Sequence, residues 1–382
     1  MNSLTDIIQT NRVWFCLDCG KCSSVCPITR HTVNGYTSPR LLVETVISMG
    51  EDPIQEDPLF WSCLTCNACS EICPSEVHFS NFIQNIRVRA RAKDLSGDCT
   101  HSGMIQTWSR MMTDPDLRQN RLDWIGKGLK TSDDSDTVYF PGCLPFYDAA
   151  FDQLDIEGIE IARAAIKILN HLGIEPVVLE DERCCGHDQY WQGDLDTFKS
   201  LAELNLELLQ KTGAKRIVTT CPECAWTLKH TYPEQVGDTG LEVMHLTELL
   251  AETDIMNLLP EKLNPDLPRV TYQDPCRLGR YAGIYDPPRE LIEKLGFDIQ
   301  EMRHNRGASL CCGTSCWSSC GQVNKKTQIE RLQEAKSTGA ELLITTCQKC
   351  QIHFKCAQHD PVLGENLALD IKDLTTLIAE HL

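Results

Sequence analysis

Beyond about residue 136, the apolar positions of this chain switch repeatedly between strand-like runs and helical spacing. Thr137-Val138-Tyr139-Phe140 is a short β-rich run stopped by Pro141-Gly142. Gly158 to Leu172 has helical spacing, with Ile161, Ala165, Ile168 and Leu172 on one face. Val177-Val178-Leu179 is a strand candidate, Leu195 to Thr212 a helix closed by Gly213, and Arg216 to Thr220 a second strand. The order then recurs. Val270 to Tyr272 reads as strand, Pro288 to Leu295 and Gln322 to Thr338 as helices, and Leu342 to Thr346 as strand. Such alternation predicts parallel α/β units, with functional groups gathered at the carboxyl ends of strands. Nearer the N-terminus, Pro39 to Ser48 reads as helix, with Leu41, Leu42, Thr45 and Val46 near helical spacing.

Punctuation divides the chain. Residues 101–136 are polar and end in Thr131-Ser132-Asp133-Asp134-Ser135-Asp136, which predicts a linker or surface loop. Pro260, Pro265 and Pro268 mark a second boundary. The expected division is a domain at 1–100, a linker at 101–136, and two repeats at 137–260 and 268–382.

The 22 cysteines among 382 residues change the picture. Cys143, the pair Cys184-Cys185 before Gly186, and Cys221-Pro222-Glu223-Cys224 form one set. Cys276, Cys311-Cys312 before Gly313, and Cys347-Gln348-Lys349-Cys350 form a second. Matching members are offset by 133, 127, 127, 126 and 126 residues. The flanks match as well: Lys211-Thr212-Gly213-Ala214 before Thr219-Thr220-Cys221 corresponds to Ser337-Thr338-Gly339-Ala340 before Thr345-Thr346-Cys347. Adjacent cysteines rarely pair with each other, but both can reach one metal cluster. The chain opens Met1-Asn2-Ser3-Leu4-Thr5-Asp6, with no basic and apolar leader, and contains no apolar run of about 18 residues. Thiolate ligation in a reducing, cytoplasmic setting is therefore expected rather than a disulfide framework. The net charge of −18 excludes the basic surface that nucleic acid or anionic lipid rewards. Arg87, Arg89, Arg91 and Lys93 form a local basic cluster, read either as a solvated helix face or as a docking site for an acidic partner.

The front end carries Cys16-x2-Cys19-x2-Cys22-x3-Cys26-Pro27 and then Cys63-x2-Cys66-x2-Cys69-x3-Cys73-Pro74. Three closely spaced cysteines hold three irons of a cubane, and the fourth reaches the other cluster in two-cluster ferredoxins. Cys16, Cys19, Cys22 and Cys73 are thus assigned to one [4Fe–4S] cluster, and Cys63, Cys66, Cys69 and Cys26 to the other. Structural zinc prefers two CxxC pairs and fits less well. The long gap between Cys26 and Cys63, with its predicted helix, points to a mostly helical ferredoxin domain. Gly20 and Asn67 fall in the cluster loops, where backbone must approach sulfide, and Trp61 can shield a cluster or simply fill core. The expected fold is mixed: this helical domain, then two tandem α/β, Rossmann-like domains.

On these residues, with Ser38-Pro39-Arg40 and Trp61-x-Cys63, the front end resembles the C-type subunit of heterodisulfide reductase. The two cysteine repeats resemble the CCG domains of its B-type subunit, and both in one chain resemble the fused D type. The resemblance implies a noncubane [4Fe–4S] cluster on Cys143, Cys184, Cys185, Cys221 and Cys224. It implies another on Cys276, Cys311, Cys312, Cys347 and Cys350. The two would flank a small-molecule disulfide, of the coenzyme M–coenzyme B type in methanogens, and electrons would arrive singly through the cubanes. The sequence departs from that pattern at Arg277, where many relatives carry histidine, and at Gly313-Thr314-Ser315-Cys316-Trp317. Cys316, Cys320 and Cys356 have no counterpart in the first repeat and read as packing or as a modified pocket; Cys99 is a singleton.

His187 can donate a proton or bond a cluster sulfide, or merely cap the next helix. Arg303, His304 and Arg306 can bind an anion or line a solvated loop. No dinucleotide-binding glycine fingerprint is present, so a flavin- and iron–sulfur-containing donor subunit or a membrane cytochrome is expected as partner. Two functions fit best: an oxidoreductase subunit that cleaves a disulfide, and a relay between a flavoprotein and another acceptor, as in glycolate, lactate or glycerol-3-phosphate dehydrogenase systems or in aromatic or acyl-CoA reductase complexes; a structural or regulatory iron–sulfur scaffold is a weaker third.

Overall fold

The computed structural model describes residues 2–32, 37–253, 255, 267–313, 315–362, 364 and 366–382. Short helices build the front end, among them Pro39–Met49 and Phe79–Arg91. Their apolar faces converge: Leu42, Val43 and Val46 of the first meet Phe82, Ile83 and Ile86 of the second in one core that also takes in Cys26, Cys63, Cys66 and Cys69.

Each repeat is a small parallel sheet. The first has β1 (Thr137–Tyr139), β2 (Arg216–Thr219) and β3 (Glu242–His245), with β2 between the others. The second has β4 (Val270–Tyr272), β5 (Leu342–Thr345) and β6 (Asp370–Asp373) in the same order. Val177 makes a parallel bridge to Val138 on the free side of β1, and Ile299 does the same to Val270. Chain direction across the sheet therefore reverses between β1 and β2, and between β4 and β5. Such switch points open a crevice at the carboxyl ends of the strands. All ten cysteines of the two repeats follow those strand ends in sequence.

The predicted helices are present as Gly158–His171, Leu195–Lys211, Asp286–Lys294 and Gln322–Ser337. Asn257 to Asp266, part of the expected boundary, lies outside the described residues. The stretch read as a linker carries structure of its own. Helix Met104–Met111 buries Ile105, Trp108 packs edge-on against Phe146 at 4.4 Å, and Trp124 is buried, its carbonyl accepting from Arg163 Nε at 2.6 Å.

The two repeats pack through matched elements. Helix Gly158–His171 lies on Leu374–Glu380, and its counterpart Asp286–Lys294 lies on Leu246–Ala251. One shared core results, joining Ile161, Ile168 and Val218 to Leu291, Ile344 and Leu377. This is the self-complementary contact of a two-fold dimer, made within one chain. Polar bonds fix it: Lys167 Nζ donates to the Ala379 carbonyl at 2.8 Å, and Glu157 accepts from Thr376 Oγ1 at 2.9 Å and from the Asp373 amide at 2.9 Å.

Arg87 ties all three parts together. Its buried guanidinium donates to the carbonyls of Phe60 (2.7 Å), Cys63 (3.0 Å) and Trp191 (2.9 Å), and to Cys316 Sγ at 3.7 Å. Arg87 is thus no part of a solvated face, and the rest of the basic cluster, with Lys93 exposed, is paired with acidic side chains. Arg89 pairs with Glu51 at 2.5 Å, Lys93 with Glu51 at 3.2 Å, and Arg91 with Asp194 at 3.6 Å.

Candidate functional site

The front-end cysteines sit on two equivalent loops. Gly20 and Asn67, each one residue after the second cysteine, both take left-handed backbone (φ 73° and 67°) and start the helices Lys21–Val25 and Ala68–Glu71. Glycine and asparagine tolerate that conformation best. The thiol of Cys22 is raised by burial and by Cys16 and Cys73 beside it. Burial pushes Cys26 up to about 11, with Cys66 adding to it. Burial likewise pushes Cys63 up to about 12, with Cys26 and Cys66 adding and Arg87 opposing. The structure thus brings Cys22 to Cys16 and Cys73, and Cys26 to Cys63, Cys66 and Cys69. Cys19 is exposed. Trp61 is half-buried and meets Phe60 edge-on at 4.7 Å.

In the first repeat the five cysteines form a chain of thiol contacts: Cys143 to Cys184, Cys184 to Cys185, Cys185 to Cys224, and Cys224 to Cys221. The Cys185 and Cys224 sulfurs are 3.4 Å apart. The second repeat copies this: Cys276 to Cys311, Cys311 to Cys312, Cys312 to Cys350, and Cys350 to Cys347. The glycine after each cysteine pair has a steric cause. Gly186 (φ 80°) and Gly313 (φ 93°) are left-handed, and an added Cβ would lie 2.6 Å from Phe198 Cδ2 or from Gln328 Cγ.

Among the described residues no two cysteines form a disulfide. Within each adjacent pair, Cys184 with Cys185 and Cys311 with Cys312, the thiols shift one another in opposite directions by sharing a proton, while burial disfavours their ionised forms. Such crowding of soft ligands is relieved by a cation that lets all of them ionise, so the donor set fits an iron–sulfur centre.

Between the two sets lies a buried charge network that the sequence reading missed. Lys349 and Glu223, the third residues of the two Cys-x-x-Cys turns, form an ion pair at 2.7 Å. Lys349 also pairs with Asp188. His187, fully buried, meets Thr227 Oγ1 at 2.9 Å through Nδ1. Its Nε2 accepts from Arg277 Nε at 3.3 Å and lies 3.5 Å from Glu223. Burial, Arg277 and Lys349 hold its pKa well below the ordinary range. It is therefore a neutral acceptor that places Arg277, whose guanidinium stacks on Trp191 (4.2 Å) and Tyr281 (4.0 Å). The only signals in sequence were Arg277 in place of histidine and opposite charges at matched positions of the two turns.

The front end meets the second set directly. The Cys66 thiol lies beside that of Cys311, and both line one cavity. This contact and Arg280 hold Cys66 below its ordinary range against the push of burial. The residues after Cys276 clamp the Cys66 loop: Arg277 donates to the Thr65 carbonyl (3.0 Å) and hydroxyl (2.8 Å), Tyr281 OH to the same carbonyl (2.7 Å), and Arg280 Nε to the Cys66 carbonyl (2.6 Å). A cavity of about 300 Å³ opens at this junction, lined by Val25, Ala68, Ile72, Leu310, Cys66 and Cys311.

The remaining candidates divide. His304 is paired with Glu334 at 2.8 Å and Arg306 with Asp286 at 2.5 Å, while Arg303 is exposed. Cys316 is buried against Arg87, and Cys99 is exposed.

Comparison with known proteins agrees with this architecture. A 4Fe–4S dicluster domain matches residues 13–77, and the cysteine-rich CCG domain matches twice, at 137–229 and 270–355. The D-type subunit of the dihydromethanophenazine:CoB–CoM heterodisulfide reductase of Methanosarcina barkeri is 30% identical over 69% of the chain. The chain is thus similar to the D-type subunits of heterodisulfide reductase. It spans 63% of the length of that relative. An uncharacterized iron–sulfur protein of Methanococcus maripaludis is 27% identical over 92% of the chain and 69% of its own length. An EtfAB:quinone oxidoreductase of Syntrophomonas wolfei is 29% identical over 56% of the chain and 30% of its own length. Among the described residues, no helix is long and apolar enough to cross a membrane.

Proposed function

We propose that this chain is the catalytic iron–sulfur subunit of a complex that reduces a small-molecule disulfide to two thiols. The observation that carries the proposal is the Cys66–Cys311 contact, which joins the front-end cysteines to the second CCG set without an intervening residue. Cys16, Cys19, Cys22 and Cys73 would hold one cubane, and Cys26, Cys63, Cys66 and Cys69 the other. Each five-cysteine set would hold a noncubane [4Fe–4S] cluster. The divisions 1–100, 101–136, 137–260 and 268–382 serve as the working domain boundaries. When bound, the clusters supply one-electron redox steps and iron with affinity for sulfur.

The protein's own part is to fix the distance and exclude water. The buried turns at Cys221–Cys224 and Cys347–Cys350 hold the two sets face to face through Glu223 and Lys349. Lys349 and Arg277 supply positive charge beside the place where thiolates form. Electrons would enter at the other end. Trp14, Phe15 and Leu17 are exposed beside Cys16 and Cys19, an apolar rim suited to a flavin- and iron–sulfur-bearing donor subunit or a membrane cytochrome. The coenzyme M–coenzyme B disulfide is the substrate named for the Methanosarcina relative and the first to try here.

A second reading, a relay to another acceptor, draws on one observation. The Glu223–Lys349 pair occupies the space between the two Cys-x-x-Cys turns, where a bridging disulfide would need room. Turnover separates the two readings. Anaerobically purified holoprotein, given reduced methyl viologen and the coenzyme M–coenzyme B disulfide, should oxidise two viologens and release two thiols per disulfide. Viologen oxidation by the partner's acceptor, with no thiol released from any small disulfide, would favour the relay.

A further inference from the structure

The two-fold likeness of the repeats breaks at one place beside the cysteine sets. Helix Pro222–Trp226, which starts after Cys221, runs into a π-helical turn at Thr227–Thr231. The segment after Cys276 is a second π-helical turn, Arg277–Tyr281, and it packs on that helix, with the Trp226 and Tyr281 rings edge-on at 5.1 Å. At offsets of 126 and 133 residues the counterparts, 353–357 and 144–148, are plain α-helix within Gln348–Gln358 and Leu144–Ala150. π-Helical turns are rare and frequently mark functional sites. These two wall a cavity of about 260 Å³. Pro222 in its lining adjoins Cys221 and Arg277 adjoins Cys276, so the cavity lies on the seam between the two sets. At the equivalent place in the other half the space is filled. Ile352, the counterpart of Trp226, is buried with Tyr147 and with the stacked rings of Phe151 and Trp317 (5.5 Å). Lys355, the counterpart of Lys229, is tied to the Asp155 carbonyl.

The lining of the open cavity suits a small amphipathic anion. Trp226 stacks on His230 at 3.9 Å, and Leu278 and Ile284 complete the apolar wall. Burial and Lys229 hold His230 below its ordinary pKa range, so its ring is neutral. Lys229 is exposed at the rim and makes no ion pair or side-chain hydrogen bond among the described residues. Arg277 is buried in the wall, its guanidinium bonded to His187 and Thr65. Glu248 also lines the cavity, but its carboxylate already accepts the His245 amide at 2.8 Å. The lining thus offers two cations against one engaged carboxylate. We infer that this cavity receives one arm of the substrate, a short apolar chain laid along Trp226 and Leu278 with an acid group on Lys229, and that Lys229 and Trp226 determine specificity. The inference rests on the disulfide-reducing reading above and adds where the substrate is held and what selects it. A chain of the same length without the acid group loses the Lys229 contact and binds more weakly.

The test uses anaerobic, oxidised holoprotein and isothermal titration calorimetry. The probes are suberate, the all-carbon analogue of 3,3′-dithiodipropionate that cannot exchange with thiols, and the uncharged 1,8-octanediol. Suberate should bind about threefold to tenfold more tightly than the diol. Lys229→Met should erase that preference, and Ala282→Trp, at an exposed position of the rim, should abolish binding of both at unchanged iron content. A diol bound as tightly as suberate, a preference that survives Lys229→Met, or no binding of either probe would each overturn the site. Turnover is read separately, as viologen-linked reduction of 3,3′-dithiodipropionate, and there the loss in Lys229→Met should fall on KM rather than kcat, by about threefold to tenfold. Lys229-dependent binding without turnover of any disulfide would support the site and overturn the disulfide-reducing reading. Turnover with a KM indifferent to Lys229→Met would overturn the site and leave that reading standing.

Discussion

At the scale of single residues, the site is governed by charges that balance one another out of water. Lys349 is buried and answers two carboxylates, Asp188 and Glu223. Removing one partner of such a group leaves the others uncompensated. Lys349→Met should therefore cost about 3–5 kcal/mol in anaerobic chemical denaturation; a loss below about 1 kcal/mol would mean the network is solvated. His245, at the end of β3, is buried with its pKa held down to about 4 by burial. The unfolded chain binds a proton below about pH 6.5 that the folded chain refuses until about pH 4. Stability from this group is complete above the unfolded value and falls as the pH drops through that window. Against His245→Asn, which retains a capping side chain, the wild type should lose about 3 kcal/mol between pH 7 and pH 4. Parallel stability curves for the two proteins would contradict this. None of these roles was legible in sequence. Glu223 and Lys349 lie 126 residues apart, and only the two-fold packing of the repeats makes them neighbours.

At the scale of elements, the cysteine sets owe their geometry to strand ends and obligatory turns. The predicted runs at β1, β2, β4 and β5 were visible because they are apolar and bounded by turn residues. Strands β3 and β6 were not: Glu242-Val-Met-His and Asp370-Ile-Lys-Asp are short and half polar, and parallel pairing to β2 and β5 makes them strands. The Val177 run contributes a single bridge rather than a full strand. The CCG glycine is a different case, readable as a motif but explained only by structure. Gly186→Ala combines left-handed strain with overlap on Phe198 and should cost about 2–4 kcal/mol. Gly213→Ala, left-handed (φ 68°) but with nothing within 4 Å of its added Cβ, is the control; it should cost only about 1–2 kcal/mol. Equal costs at the two positions would remove the packing part of the argument.

At the scale of the whole molecule, the chain reads as a path from an exposed apolar rim, through a buried ferredoxin set, to two facing CCG sets. The cysteine cadence made the ends of this path legible, because ligand spacing is local. The junction was not, since Cys66 and Cys311 meet only when the front end docks on the second repeat, where Arg30 and His31 pair with Glu330. Leu17, 70% exposed, belongs to the rim and to none of the cores. Leu17→Asp should lower the rate of reduction by the physiological donor at least about tenfold while leaving reduction by viologen unchanged; equal loss with both donors would place the defect in the fold instead. The central claim, that a substrate sulfur reaches a CCG centre, is tested most directly by low-temperature EPR of oxidised holoprotein titrated with coenzyme M, coenzyme B and unrelated thiols. The account predicts a new paramagnetic signal with one of the two coenzymes, absent with the control thiols and broadened by ³³S in the added thiol. Spectra indifferent to every thiol, with both cubanes still reducible, would contradict it.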